Sequence, residues 1–251
     1  MRGRTLPAAA LALAAAVAGL TGCGFESHRE RTGPKPAPSG SSETAAKPAK
    51  PRAGTPTPAP SRTVNGRPQP PIVRVPESGS GRYAVAKGTQ QPPAGARGTT
   101  VRYAVEVERG LPFDVTEFAE TVHRTLNDPR SWGHGGRMRF LRVDDGPVAF
   151  RVALSSPELT DRLCAPLITG GELSCRQGVR SVINARRWGT GVPWYGGDLA
   201  AYREYVINHE VGHALGHGHE QCPGPGRRAP VMVQQTKSLY GCRPNPWPFP
   251  A

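Results

Sequence analysis

The sequence has no apolar run long enough to span a membrane as a helix. Its longest run, residues 6–20, has about fifteen residues, whereas a spanning helix needs roughly twenty. No two of its five cysteines have the Cys-x-x-Cys spacing of zinc knuckles and redox sites, and no internal repeat is visible. Aromatic residues make up only 6% of the chain. These absences argue against a retained transmembrane helix, a cysteine-based metal or redox site, and a base-stacking nucleic-acid surface.

The first 23 residues have the order of a bacterial export signal. Arg2 and Arg4 precede the apolar run, which closes on Leu-Thr-Gly-Cys at Cys23. This ending resembles the bacterial lipobox, in which the cysteine thiol receives a diacylglyceryl group and becomes the first residue of the mature protein. The resemblance implies a lipid anchor at Cys23 and a location at the outer face of the cell membrane. An ordinary signal followed by secretion is the alternative.

The composition of residues 24–78 predicts a disordered linker. As far as residue 71 the sequence consists mainly of Pro, Ala, Ser, Thr and basic residues, in segments such as KPAPSG and TPTPAPS. Such a segment buries too little surface to offset the entropy of ordering, and its prolines favour extended polyproline II conformations. We expect this linker to hold the following domain away from the membrane.

The remaining residues, 79–251, suffice for one domain with a sizeable core. The chain has a formal net charge of +13, with 32 basic and 19 acidic residues, and the excess is spread along its length. In an exported protein this charge favours anionic lipid headgroups or cell-wall polymers as partners, and no nucleic acid is expected. A basic surface that is merely solvated is the alternative.

Four cysteines follow residue 23, an even number in an exported domain, which predicts disulfides. They are Cys164, Cys175, Cys222 and Cys242. Three connectivities are possible. We favour 164–175 with 222–242 because these pairs close the shortest loops, but the spacing alone does not prove this choice.

The apolar periodicity predicts several strands. Alternation of apolar and polar residues indicates a half-buried strand over residues 99–108. Further strands are predicted over 137–143, 148–154, 172–176 and 180–188. An Asp-Asp-Gly-Pro turn between the strands at 137–143 and 148–154 predicts that these two form a hairpin.

Helices are predicted between and after these strands. Asp114 caps an amphipathic helix, Ser156 precedes a short helix that begins with proline, and Asp198 caps a long helix that leads into His209. After Gly216 the chain is loop-rich, so a disulfide there would staple the tail. This order of elements predicts an α+β domain with a mixed, twisted sheet.

The stretch HEVGHALGHGH begins at His209 and concentrates four histidines. His209 and His213 are four residues apart, so on a helix both imidazoles lie on one face and can hold one metal ion. Gly216 lies where a helix would stop by turning left-handed. This predicts that His219, rather than His217, returns to the metal as the third ligand, while His217 faces solvent.

Glu210 follows the first of these histidines, where its carboxylate points past the metal toward a water. A zinc ion held by neutral ligands lowers the pKa of its bound water toward neutrality, and a carboxylate in this position can take the proton as a carbonyl is attacked. We therefore predict one zinc ion per chain, with Glu210 as the general base.

The assembled pattern resembles the signature of the metzincin zinc peptidases, H-E-x-x-H-x-x-G-x-x-H, and fills every specified position. The resemblance implies a metzincin-like zincin domain that hydrolyses peptide bonds, with its substrate extended along an edge strand, here near residues 172–176. It also implies a methionine in a tight turn below the metal, and Met232 in Ala-Pro-Val-Met is the candidate. No tyrosine lies two residues after Met232, so Tyr240 is the candidate to approach the metal, with simple packing as the alternative.

A wider resemblance covers most of residues 80–251. The segments RSVINARRW, YGGD and GCRPNPW resemble an uncharacterised family of actinobacterial exported lipoproteins, which carries no established substrate.

The sequence therefore predicts a lipid-anchored zinc endopeptidase that acts on a protein or peptide substrate. The main alternative is a non-catalytic module of the cell envelope in which zinc stabilises the loop-rich tail. Hydrolysis of a non-peptide bond in wall material is a third possibility that the ligands alone do not exclude.

Overall fold

The computed structural model describes residues 62–251. The predicted signal, the lipobox at Cys23 and the linker as far as residue 61 lie outside the described residues. No helix within residues 62–251 is long and apolar enough to cross a membrane.

Within residues 62–251 the fold has eight strands and four α-helices. The strands are β1 (Thr63–Val64), β2 (Arg67–Pro68), β3 (Tyr83–Val85), β4 (Thr99–Glu108), β5 (Met138–Arg142), β6 (Phe150–Ser155), β7 (Cys175–Gln177) and β8 (Arg180–Asn184). The helices are α1 (Val115–Leu126), α2 (Pro157–Cys164), α3 (Ala185–Thr190) and α4 (Leu199–Ala214). β1 and β2 pair with each other, and the other strands form one mixed sheet in the order β3-β4-β6-β8-β7, with β5 also paired to β4. The predicted α+β class and mixed, twisted sheet are confirmed.

The sheet packs on α1 and α4 because β4 has the alternation that the sequence predicts. Tyr103, Val105 and Val107 project from one face of β4 into the largest hydrophobic core, where they join Phe118 of α1 and Val206 of α4. α4 is therefore fixed across the sheet by buried side chains, and its orientation sets the position of every histidine that follows residue 208.

The predicted hairpin between β5 and β6 is wrong. Both strands run parallel to β4, and Tyr103 pairs with Arg142 of β5 and also with Phe150 of β6. A strand residue has one neighbour on each side, so β4 lies between the other two. The long β4 offers a parallel edge to each of them, and this tertiary pairing overrides the local turn signal.

Two other predicted strands have different bounds. The strand predicted over 180–188 ends at Asn184, whose side-chain oxygen accepts a hydrogen bond from the Arg186 backbone NH and so caps α3. The strand predicted over 172–176 is β7, three residues long and shifted to Cys175–Gln177. β7 is antiparallel to β8 and forms an edge of the sheet.

The folded region begins earlier than the predicted boundary at residue 79. β1 and β2 form a hairpin whose turn is Asn65-Gly66, with positive φ at both positions, as a two-residue hairpin turn requires. The Asn-Gly pair was a readable hairpin signal within the segment assigned to the linker.

This N-terminal segment, residues 62–78, is held against the first turn of α4. Arg67 forms a bidentate ion pair with Glu204. Buried Gln69 donates to Asp198 Oδ1 at 3.1 Å and accepts from the Ala200 backbone NH at 3.0 Å. Residues 62–78 are therefore part of the folded domain, because their polar side chains complete the N-terminus of α4.

Both predicted disulfides are confirmed. Cys164 pairs with Cys175, and Cys222 pairs with Cys242. The first closes the loop between α2 and β7, and the second closes part of the C-terminal tail.

Candidate metal centre

The candidate metal-binding residues begin on the last turns of α4. Asp198 caps the helix by accepting a hydrogen bond from the Ala201 backbone NH, as the sequence predicts. The helix ends after Ala214, and Gly216 has a φ of +93°. The left-handed turn predicted at Gly216 is confirmed, and it reverses the chain so that the following residues return toward the helix.

This reversal brings His209, His213 and His219 together. One ligand atom from each imidazole lies within 4.8 Å of the others, and His213 Nε2 is 3.1 Å from His219 Nε2. Three nitrogen atoms that converge in this way can hold a single metal ion. The fold therefore brings together the three histidines that the spacing of the sequence selects as candidate ligands.

Backbone carbonyl groups orient two of these rings. His209 Nδ1 donates to the Val231 carbonyl oxygen at 2.9 Å, and His213 Nδ1 donates to the His217 carbonyl oxygen at 2.8 Å. A carbonyl oxygen only accepts, so the proton of each neutral ring is on Nδ1 and the lone pair on Nε2 is free for a metal.

His217 contributes through its backbone, a role that sequence reasoning missed. Its ring is exposed, as predicted, but stacks on Trp132 with ring centroids 4.2 Å apart, and its backbone NH donates to the Gly212 carbonyl oxygen at 2.9 Å. These contacts fix the carbonyl group that accepts the hydrogen bond from His213 Nδ1.

The imidazoles are in the neutral form that metal binding requires. Burial lowers the pKa of His209 to about 3, and the partial burial of His213 and His219 lowers their pKa values as well. The positive charge of Arg176 further lowers the pKa of His213, and Lys237 does the same for His219. The three rings therefore need no deprotonation step at neutral pH before they bind a cation.

Glu210 lies beside the histidines with a buried carboxylate. It is only 4% exposed, and its Oε2 atom has no hydrogen-bond partner within residues 62–251. Desolvation raises the pKa of this carboxyl group to about 8. The carboxyl group also lines the cleft above the histidines, so an unpaired acidic group is held where a substrate or water molecule would enter.

Met232 lies below this part of α4, in a turn closed by a hydrogen bond from the Val233 backbone NH to the Pro230 carbonyl oxygen at 3.0 Å. Its side chain is fully buried. A Cβ atom added to Gly212 would be 2.5 Å from Met232 Sδ and 2.7 Å from Trp132 Cζ2. The glycine between the two helical ligands is therefore what allows the methionine to approach the helix.

Two buried amides anchor this turn, and sequence reasoning missed both. Gln235 accepts from the Tyr195 hydroxyl at 2.9 Å and donates to the Asn245 carbonyl oxygen at 2.8 Å. Asn245 donates to the carbonyl oxygens of Ala229 and Trp247, both at 2.8 Å. In the sequence, the YGGD segment and the PNPW ending indicated only a family resemblance, and neither predicted a network of amide hydrogen bonds.

An open cleft of about 530 Å³ lies over the three imidazoles and Glu210. One wall is formed by the loop between Cys164 and Cys175 together with β7, and Lys237 lies on another side. Tyr240, a candidate for approaching the metal, is 54% exposed and is not among the residues that line the cleft in the described part of the chain. The structure gives it no contact with the histidines.

A family model described as "Protein of unknown function (DUF3152)" matches residues 69–241. No curated protein matches the sequence. The match covers nearly all of the described fold, including β7, α4, the three histidines and Met232.

Proposed function

The chain belongs to the DUF3152 family, whose function is unknown, and we propose from the geometry of its metal centre that it is a metzincin-like, zinc-dependent endopeptidase. The observation that carries the proposal is the position of Glu210. An unpaired, buried carboxylate lies next to three converging imidazoles at the floor of an open cleft. A purely structural ion has no need of such a group.

The donor set fits zinc. Two ligands about 2.0–2.1 Å from a tetrahedral zinc ion are ~3.3 Å apart, close to the 3.1 Å between His213 Nε2 and His219 Nε2. Three neutral nitrogen donors are typical of catalytic zinc sites, which leave one position open, and two of the three rings, His209 and His213, have the hydrogen-bonded Nδ1 that is usual for a zinc ligand. When bound, zinc would supply a Lewis acid and an acidified water molecule.

Glu210 would act as the general base. Its carboxylate is held by burial on α4, and a cation at the three imidazoles would favour its charged form. It would take a proton from the attacking water and pass it to the leaving nitrogen of the peptide. β7 offers a free sheet edge beside the cleft, which fits an extended peptide backbone.

The non-catalytic alternative, in which zinc orders the tail, has less support. Asn245, Gln235 and the Cys222–Cys242 disulfide hold the tail directly. Asn208 of α4 adds a hydrogen bond from its side-chain amide to the Pro246 carbonyl oxygen at 2.9 Å. The tail therefore has several contacts of its own that hold it, which weakens the argument that its order is the main purpose of a metal ion. The predicted anchor at Cys23 would place this activity at the outer face of the membrane.

The first test is the zinc content of the purified full-length chain. We expect one zinc ion per wild-type chain and a loss of zinc in His219→Ala. His134→Ala is the matched control, because His134 is an exposed histidine outside the three-histidine group and outside the cleft, and it should retain zinc. A wild-type chain that binds no zinc after reconstitution would refute the proposal.

The second test separates binding from chemistry. Glu210→Gln should retain one zinc ion and fail to cleave a mixed peptide library that the wild type cleaves. A Glu210→Gln variant with full activity would show that the proposed base is wrong. Cleavage of purified wall fragments instead of peptides would favour the non-peptide hydrolase.

A further inference from the structure

Two cationic side chains line the cleft beside the metal centre. Arg176 lies on β7, and Lys237 follows the turn that contains Met232. Neither forms a salt bridge with a carboxylate of residues 62–251. Among the described residues, the one hydrogen-bond acceptor of Lys237 Nζ is Gln234 Oε1, at 3.4 Å. Glu210 is the only carboxylate among the described residues that line the cleft.

Arginines on the neighbouring strand and helix do have partners. Arg180 of β8 pairs with Glu106, and both Arg186 and Arg187 of α3 pair with Glu172. Arginines of β8 and α3 are therefore neutralised by carboxylates, whereas the two cations of the cleft are not paired with any carboxylate of residues 62–251. The cleft is left with two cations against one buried carboxylate, and its positive charge suits a negatively charged ligand.

The same cleft has an apolar rim. Ile168 is 93% exposed and Leu167 is 60% exposed, and both line the cleft. They lie in the loop that the Cys164–Cys175 disulfide closes. Large apolar side chains held at the mouth of a cleft provide a contact surface for an apolar group of a ligand.

We propose that the cleft selects peptide segments in which an acidic side chain lies near an apolar one. Arg176 and Lys237 bind the acidic side chain, and Leu167 and Ile168 contact the apolar one. This inference rests on the proposed function, because it takes the cleft to be a peptide-binding site.

The test measures binding without turnover. Fluorescein-labelled hexapeptides of alanine and leucine carry Glu, Gln or Lys at one position, which is moved through the peptide. Their affinity is measured by fluorescence anisotropy with the zinc-loaded full chain that carries Glu210→Gln. We expect the best Glu peptide to bind about tenfold more tightly than its Gln counterpart, since each partly exposed ion pair contributes a few-fold. Added salt should reduce the difference.

Charge reversal identifies the cations. In Arg176→Glu with Lys237→Glu, the preference for Glu peptides should disappear or change to Lys peptides. Arg74→Glu with Arg97→Glu makes the same change of net charge at exposed positions outside the cleft and should keep the preference. Equal affinity for Glu and Gln peptides, no peptide binding, or a preference that survives the cleft variant would overturn the inference.

The proposed preference for acidic peptides and the proposed peptidase activity can be refuted separately. Charge-selective binding by a chain whose wild type cleaves no peptide would refute the peptidase and retain the inference. Cleavage by the wild type without selection for acidic peptides would support the peptidase activity and refute the proposed preference for acidic peptides.

Discussion

Gly212 lies where Met232 and Trp132 both press against α4. A Cβ atom there would be 2.5 Å from Met232 Sδ and 2.7 Å from Trp132 Cζ2. Both neighbours are buried, so they have little room to move. The contact joins the two helical ligands to the floor of the metal centre.

We therefore expect Gly212→Ala to destabilise the protein. Overpacking costs about 1–3 kcal/mol, against a gain of about 1 kcal/mol in helix propensity, so we expect a net loss of up to about 2 kcal/mol with weaker metal binding. Thermal unfolding and chelator competition measure both effects. Gly218→Ala is the control, because nothing lies within 4 Å of a Cβ atom at Gly218. Equal behaviour of the two variants would contradict the packing argument.

Ile168 allows the apolar rim to be tested without a change in stability. Its side chain is 93% exposed, so Ile168→Ser should leave Tm unchanged and weaken the binding of leucine-containing peptides a few-fold. Val179→Ser is the matched control, at an exposed residue that does not line the cleft. A lower Tm in Ile168→Ser would show that the side chain stabilises the fold instead.

The spacing of residues along the chain was enough to select the three histidines that the fold brings together. His209, His213 and His219 could be selected because a helical turn and one left-handed glycine fix their positions locally. The amides of Gln235 and Asn245 could not be found in this way. Their partners lie in separate loops, and no local pattern marks a side chain whose hydrogen bonds depend on tertiary packing.

At the scale of elements, the C-terminal tail and the turn at Met232 form one unit. Asn245 Nδ2 donates to the carbonyl oxygens of Ala229 and Trp247 at 2.8 Å. Val231 lies two residues after Ala229, and its carbonyl oxygen accepts the hydrogen bond from His209 Nδ1. A change at Asn245 can therefore reach the metal ligands through the backbone.

We expect Asn245→Ala to lower the free energy of unfolding by about 1–3 kcal/mol, because two buried carbonyl groups lose a donor. Zinc affinity should also fall, as measured by competition with a chelator. The control is Gln91→Ala, since the side chain of Gln91 is exposed and forms no hydrogen bond within residues 62–251. Unchanged zinc affinity in Asn245→Ala would show that the tail and the metal centre are independent.

Helices could be predicted better than strand pairing. The caps Asp114, Ser156 and Asp198 all accept hydrogen bonds from backbone NH groups of the helices that they begin. Capping is local, so the sequence reveals it. β5 and β6 pair with opposite sides of β4, and this choice depends on residues far apart in the chain.

At the scale of the whole molecule, residues 62–78 link the N-terminal side of the domain to α4. Gln69 satisfies the Ala200 backbone NH at the first turn of α4, and Val73 donates to the Gly189 carbonyl oxygen at 3.0 Å. The helix that carries two of the proposed metal ligands therefore has contacts with a segment that composition alone assigned to the linker.

Deletion of residues 24–78 should lower Tm by at least about 4 °C relative to deletion of residues 24–61, the equivalent of ~1–2 kcal/mol for a domain of this size. The shorter deletion is the control, because it retains the hairpin and the contacts with α4. Thermal unfolding followed by circular dichroism makes the comparison. Equal Tm values would restore the predicted boundary at residue 79.

Four buried tyrosines and the partly buried Tyr83 make the whole fold sensitive to alkaline pH. Desolvation raises the pKa of Tyr83 to about 12 and raises those of Tyr103, Tyr195, Tyr202 and Tyr205 as well. A raised pKa in the folded state means that the stabilising contribution is fully present below about pH 10, where unfolded tyrosine ionises, and is lost as pH rises further. Arg203 has the opposite effect on stability, because burial lowers its pKa to about 10 and its contribution therefore improves as pH rises. It is a single group, whereas five tyrosines lose their contribution over the same range.

We therefore expect most tyrosinate absorbance at 295 nm to appear in the same step as the loss of circular dichroism, above pH 10. The two signals are recorded on one sample as pH is raised from 8 to 13, and the unfolded chain in denaturant is the control, with ionisation near pH 10. The disulfides Cys164–Cys175 and Cys222–Cys242 close local loops and do not cross-link the segments that carry the tyrosines. They therefore do not prevent unfolding at high pH. A gradual rise in absorbance near pH 10 with unchanged circular dichroism would mean that these hydroxyl groups are accessible in the folded protein and that the core is looser than its packing indicates.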